Sequence, residues 1–134
     1  MRILYFHQYF TTPEGAGGTR SYEMAKQLVG KGHKVTMVYA LSDRAKSSID
    51  KPYKNGMRRV KYDGIDLIEF DLDYSNRMGF IKRSWVFLKY SLRSVRLIFK
   101  EDYDLVFATT TPLTAGIPGI VMKMSGKKKP FVFE

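Results

Sequence analysis

The chain has 134 residues, no cysteine, two histidines and a formal net charge of +10, with 23 Lys and Arg against 13 Asp and Glu. Absent cysteine, neither a disulfide framework nor a thiolate metal site can form, and His7 and His33 alone do not make a zinc site of the usual kind, so no metal and no bound cofactor is expected. The length suits one domain, able to bury about two-thirds of the surface its unfolded chain exposes.

Residues 2–9 are a short, mostly apolar run of strand type. Tyr22, Ala25, Leu28 and Val29 then recur at helical spacing until Gly32 stops the helix, and residues 35–39 form a second apolar strand. A helix between two short strands predicts a β-α-β unit with parallel strands and a right-handed crossover. The strand-to-helix loop is rich in glycine (Gly15, Gly17, Gly18) and ends on Thr19 and Arg20. Glycines allow close approach and positive φ, the first helical N–H groups lack internal partners, and the helix N-terminus carries about half a positive charge. Arg20 adds a planar fork suited to phosphate oxygens. The loop reads either as an anion site or as a solvated turn leading to a helix capped by Thr19. The spacing fits neither a dinucleotide fingerprint, which wants an acid where the second strand ends Val38-Tyr39-Ala40, nor a P-loop, because no Gly-Lys-Ser/Thr follows the glycines.

Residues 42–55 are polar and charged, with Lys51-Pro52 and Asn55-Gly56 as turn signals, and predict a mobile loop. Residues 58–62 and 65–72 predict a hairpin about Asp63-Gly64, or an edge strand followed by a buried one. Asp63, Asp66, Glu69, Asp71 and Asp73 gather there. Strand alternation turns Asp66 away from the other strand acids, and a half-exposed strand accounts for them without a catalytic role.

Residues 75–100 contain no acid and seven basic residues. At about 100° per residue, Ile81, Trp85, Leu88, Leu92, Val95 and Phe99 fall in one stripe, expected to face the sheet. Lys82, Lys89, Arg93, Arg96 and Lys100 line another, expected to be exposed, with Phe87, Tyr90, Leu97 and Ile98 left over. The basic stripe reads as a plain solvated surface or as a face lying on anionic lipid, where each cation adds about 1 kcal/mol. No nucleic-acid-binding motif is present, and nucleic acid is not an expected partner. The apolar start is too short for a signal peptide, and no run approaches the roughly 20 residues of a membrane span, which predicts a cytoplasmic protein.

Further on, Thr109, Thr110 and Thr111 precede Pro112 and offer hydroxyls and helix-start N–H groups in one place; the alternative is a helix capped by Thr111 with Pro112 at its first position. In open α/β sheets ligands sit beyond the carboxyl ends of the strands at the switch in strand order, which sets residues 15–20 beside residues 109–113. His7, late in the first strand, points toward that crevice or is a satisfied buried histidine.

The start Met1-Arg2-Ile3-Leu4-Tyr5, the turn Gly17-Gly18-Thr19-Arg20, the helix end Leu28-Val29-Gly30-Lys31-Gly32-His33 and the strand Lys34-Val35-Thr36-Met37-Val38 together resemble the N-terminal domain of a family 4 glycosyltransferase of GT-B architecture. The segments Asp104 to Pro112 and Lys129 to Glu134 resemble that family's fourth and fifth strands. The resemblance implies a doubly wound, Rossmann-like parallel sheet of strand order 3-2-1-4-5 in a three-layer α/β/α arrangement, truncated after the fifth strand. It further implies that residues 1–134 are the acceptor-side domain of a two-domain enzyme whose donor-binding half is absent. The implied activity is retaining transfer from a nucleotide-sugar to a lipid-linked or polysaccharide acceptor at the inner face of the cell membrane.

In that scheme Gly15, Gly17, Gly18, Thr19 and Arg20 meet the donor diphosphate. His7, Thr109, Thr110 and Thr111 stand on the acceptor side, and Lys82, Lys89, Arg93, Arg96 and Lys100 face an anionic membrane surface. No residue is assigned as catalytic. The alternative is a non-catalytic, membrane-associated subunit of a split transferase.

Overall fold

The computed structural model describes residues 1–42, 49–110 and 112–134, with Ser42 described by its backbone alone. In chain order the elements are β1 (Arg2–Phe6), α1 (Arg20–Gly30), β2 (Lys34–Ser42), β3 (Met57–Tyr62), β4 (Ile65–Tyr74), α2 (Phe80–Lys100), β5 (Leu105–Ala108), a 3-10 turn (Leu113–Gly116), α3 (Ile117–Met124) and β6 (Phe131–Phe133). The strands form one open sheet in the order β3-β4-β2-β1-β5-β6. Every neighbouring pair is parallel except β3 with β4, so β3 is an antiparallel edge strand. Counting only the parallel strands, the order is the expected 3-2-1-4-5. The chain is thus α/β with a mostly parallel open sheet, compatible with a Rossmann-like fold.

The central strands read as apolar runs because both of their faces are covered. Alternation sends Leu4, Phe6, Val38, Ile68, Phe70 and Val106 into one cluster, which Tyr90, Leu97 and Ile98 of α2 and Met122 of α3 complete. Ile3, Tyr5, Val35, Met37, Ile65 and Leu67 enter the other, with Tyr22 and Ala25 of α1. Helix α1 ends in a Schellman arrangement, in which Gly32 (φ 88°) donates to the Val29 carbonyl (2.9 Å) and His33 to the Leu28 carbonyl (3.1 Å). The β3–β4 hairpin turns at Asp63 (φ 49°) and Gly64 (φ 78°), a positive-φ pair that suits a two-residue hairpin.

Several expectations are corrected. β1 ends at Phe6, not at residue 9, because the His7 N–H bonds to the Val38 carbonyl (3.1 Å) and the chain then turns so that the Phe10 N–H meets the His7 carbonyl (3.2 Å). β2 runs on to Ser42. Part of the predicted loop, residues 43–48, lies outside the described residues; its far end is a tight turn in which Lys54 and Met57 exchange backbone hydrogen bonds around Asn55 and Gly56, both at positive φ. Pro112 takes the cap position of the 3-10 turn and is not the first residue of a helix, since α3 begins five residues later.

The largest correction concerns α2. Its buried residues are Tyr90, Ser91, Ser94, Leu97 and Ile98. The predicted core stripe faces outward instead: Ile81 is 83% exposed, Trp85 55%, Leu88 42%, Leu92 56% and Phe99 55%. The helix carries two apolar faces on roughly opposite sides, and the less apolar one packs inward because Ser91 and Ser94 are small enough for close contact. Ser91 Oγ there donates to the Thr114 carbonyl (2.8 Å), and the Tyr90 hydroxyl reaches the Val38 carbonyl (2.7 Å). Arg93 is half-buried rather than exposed with the rest of the basic stripe, and its guanidinium donates to the carbonyls of Gly56 (2.9 Å) and Asp71 (3.2 Å). Lys82, Lys89, Arg96 and Lys100 are exposed as expected.

Candidate functional site

At the carboxyl ends of β1 and β5 the chain leaves the sheet in opposite directions, and an open cleft of about 380 Å³ lies between the two departing loops. Its walls are Tyr5, His7, Tyr9, Gly18, Arg20, Ser21, Thr109, Thr110 and Glu134. The structure therefore brings together His7, Gly18, Arg20, Thr109 and Thr110 of the residues singled out from the sequence. Thr111 lies outside the described residues.

Gly15, Gly17 and Thr19 do not line the cleft. A Cβ on Gly15 would stand 2.0 Å from Thr11 Oγ1, and one on Gly17 would stand 2.8 Å from Thr11 Cγ2. These two glycines are thus required by the packing of their own loop, and neither adopts the positive φ anticipated for them. Gly18 differs, because a Cβ there would meet nothing within 4 Å. Thr19 takes the cap position of α1 through its backbone, accepting from the Glu23 N–H (2.9 Å), and its side chain makes no capping hydrogen bond.

His7 lines the cleft. The Thr109 hydroxyl lies 2.6 Å and the Ser21 hydroxyl 3.1 Å from its Nδ1. Burial, with the positive charge of Arg20 as a second cause, lowers its pKa from 6.5 to about 4. The imidazole is therefore neutral at pH 7. If both hydroxyls donate to Nδ1, the proton sits on Nε2, which becomes a donor. The same burial raises the Tyr5 hydroxyl above its usual range.

Arg20, at the first turn of α1, forms an ion pair with Glu134. Glu134 is held by its backbone: its N–H donates to the Ala108 carbonyl (3.0 Å) and its carbonyl accepts from the Thr110 N–H (2.6 Å). An anion at Arg20 would have to compete with this carboxylate. Sequence reasoning missed Glu134, Ser21, Tyr5 and Tyr9. Glu134 was within reach of it, since a fifth parallel strand must end on the same side of the sheet as β1 and β5.

One acid of β4 departs from expectation, while Asp66 is half-buried and Asp71 and Asp73 are exposed. Glu69 is fully buried, not half-exposed, and accepts hydrogen bonds from Tyr39 (2.9 Å), Tyr53 (2.6 Å) and Arg58 (2.6 and 2.9 Å). Arg58 is its direct cross-strand partner on β3. Burial beside this carboxylate pushes both tyrosine hydroxyls well above their ordinary range. Among the described residues no group of three or more His, Asp or Glu is placed to hold a metal ion, and no helix is long and apolar enough to cross a membrane. Compared with the known protein families and with curated proteins, the chain matches none.

Proposed function

We propose that this chain is the N-terminal, acceptor-side domain of a retaining glycosyltransferase that moves a sugar from a nucleotide-sugar to a lipid-linked or polysaccharide acceptor at the inner face of a membrane. In this reading the sheet and its helices form the three-layer, doubly wound half of a two-domain enzyme. The donor diphosphate meets Gly18 and Arg20 at the start of α1, while His7, Thr109 and Thr110 offer neutral hydrogen-bonding groups to the acceptor. Glu134 holds Arg20 in place and yields to phosphate oxygens when the donor arrives.

The observation that carries the reading is the convergence of Gly18 and Arg20 at the start of α1 with the Thr109–Thr110 loop in one cleft at the switch point of the sheet. The test is a titration with the diphosphates of uridine, guanosine and adenosine, read by ligand-observed NMR. Arg20→Ala removes a charge-assisted hydrogen bond of about 1.5–3 kcal/mol and is expected to weaken binding roughly ten- to a hundredfold. Glu134→Gln is expected to strengthen it. Gly18→Val, which intrudes on the cleft without touching the loop, should also weaken binding, whereas Gly17→Val should mainly destabilise the turn against Thr11. A folded Arg20→Ala chain that binds every diphosphate as the parent does would remove the phosphate assignment.

A further inference from the structure

Among the described residues, twelve large apolar side chains are exposed, and six of them, Phe80, Ile81, Trp85, Leu88, Leu92 and Phe99, belong to α2. Five of these, from Ile81 to Phe99, lie within an arc about 60° wide at 100° per residue, on the side of the helix away from Tyr90 and Leu97. Exposure of so many large apolar residues in one stripe is uncommon for a surface that faces only water.

The charges flanking the stripe identify what covers it. Lys82, Lys89 and Arg96 follow one another at seven-residue intervals along one flank, joined by Lys100, and residues 75–100 contain no acid. Lys89 Nζ lies 5.5 Å from the centre of the Trp85 ring, so the cation sits at the edge of the apolar stripe. Beyond the C-terminal end of α2, Lys127 donates to the Ile98 carbonyl (2.7 Å) and lies over Phe99 (5.2 Å), with Lys123 and Lys128 exposed nearby in sequence. Packing this face on a second copy of itself would bring two unrelieved rows of cations together. An anionic bilayer accepts both features: acyl chains take the stripe and headgroups take the cations.

We infer that α2 lies in the plane of an anionic membrane with Ile81, Trp85, Leu88, Leu92 and Phe99 inserted below the headgroups and Lys82, Lys89, Arg96 and Lys100 at their level. The inference rests on the peripheral-membrane part of the function proposed above and adds which residues enter the lipid. It also reverses the orientation expected from the sequence, in which the stripe from Ile81 to Phe99 faced the sheet and the basic stripe, with the apolar residues beside it, met the lipid.

Trp85 is the only tryptophan of the chain and stands inside the stripe, so its fluorescence reports insertion directly. On titration with vesicles of mixed phosphatidylcholine and phosphatidylglycerol, its emission is expected to shift to the blue and to be quenched by brominated acyl chains. The double substitution Leu88→Ser/Leu92→Ser should weaken binding at least about tenfold, given the apolar area removed from lipid, with the melting temperature retained because both residues are exposed. Neutralising Lys82, Lys89 or Arg96 to Gln should cost about fivefold each and reduce the preference for the anionic lipid. Three results would overturn the inference: no binding, binding in which Trp85 is not quenched by brominated chains, or a lipid-free, concentration-dependent dimer that buries Trp85. No nucleotide enters the experiment, so its failure leaves the diphosphate reading standing, and failure of that reading leaves this one untouched.

Discussion

His7 is a histidine that the folded protein keeps neutral, and that has a measurable cost in acid. Between pH 6.5 and about 4 the unfolded chain binds a proton at this side chain and the native chain does not, so the contribution of His7 to stability falls as pH drops through that window. A displacement from 6.5 to about 4 corresponds to about 3 kcal/mol once the pH is below both values. Urea melts taken from pH 7 to pH 4 should therefore decline more steeply for the parent than for His7→Gln, which keeps hydrogen-bonding capacity without the titration. Parallel declines would mean that burial of the imidazole is not what the proton opposes. The same neutrality suits the cleft chemically, since a protonated imidazole would sit beside Arg20 and repel it.

Two ion pairs across the β3–β4 hairpin show how burial sets the worth of a charge at the scale of an element. Arg58 and Glu69 face each other with side chains 15% and 0% exposed, while Lys61 and Asp66 stand 3.7 Å apart with 68% and 39% exposed. Removing one partner of the buried pair strands the other charge, so Arg58→Leu is expected to cost about 3–5 kcal/mol. Lys61→Ala should cost under about 1 kcal/mol, because water already screens that pair. Chemical denaturation of both variants against the parent checks the contrast. Similar losses would show that Glu69 is held by Tyr39 and Tyr53 rather than by the guanidinium. The element-scale lesson of α2 is related. The inward face of that helix is set by which side chains let the sheet approach, and Ser91 and Ser94 do this better than Trp85 and Leu88.

For the molecule as a whole, the proposed division of labour has a direct consequence. A cleft formed by one Rossmann-like half supplies one wall of a transferase site, and charge stabilisation and closure require an opposing wall. The 134 residues by themselves are therefore expected to bind a nucleoside diphosphate weakly and to turn over no nucleotide-sugar, as measured by release of free diphosphate in the presence of a lipid-linked acceptor. Measurable turnover would refute the two-domain reading while leaving the cleft as the site. The exposed apolar stripe of α2 and the cleft lie on different elements, so a variant that loses vesicle binding should keep its diphosphate affinity.

The sequence by itself determined the features that depend on neighbours along the chain. Gly32 ends α1 because the C-terminal turn needs a left-handed residue there; Asp63-Gly64 suits a hairpin turn; the apolar run at residues 35–39 reads as a buried strand. The β-α-β start and the parallel sheet follow from these local rules, and with them the place of the cleft, because Arg20 and Thr109 must both emerge at the carboxyl ends of β1 and β5. Only the tertiary structure decided matters in which two local readings were equally satisfied. Helix periodicity exposes an apolar stripe but cannot say whether the sheet or a bilayer covers it, and the serines that packed inward carry almost no hydrophobic signal. Likewise the pairing of Arg20 with Glu134, and of Glu69 with Arg58, joins residues whose meeting depends on strand order and register, which no local pattern encodes.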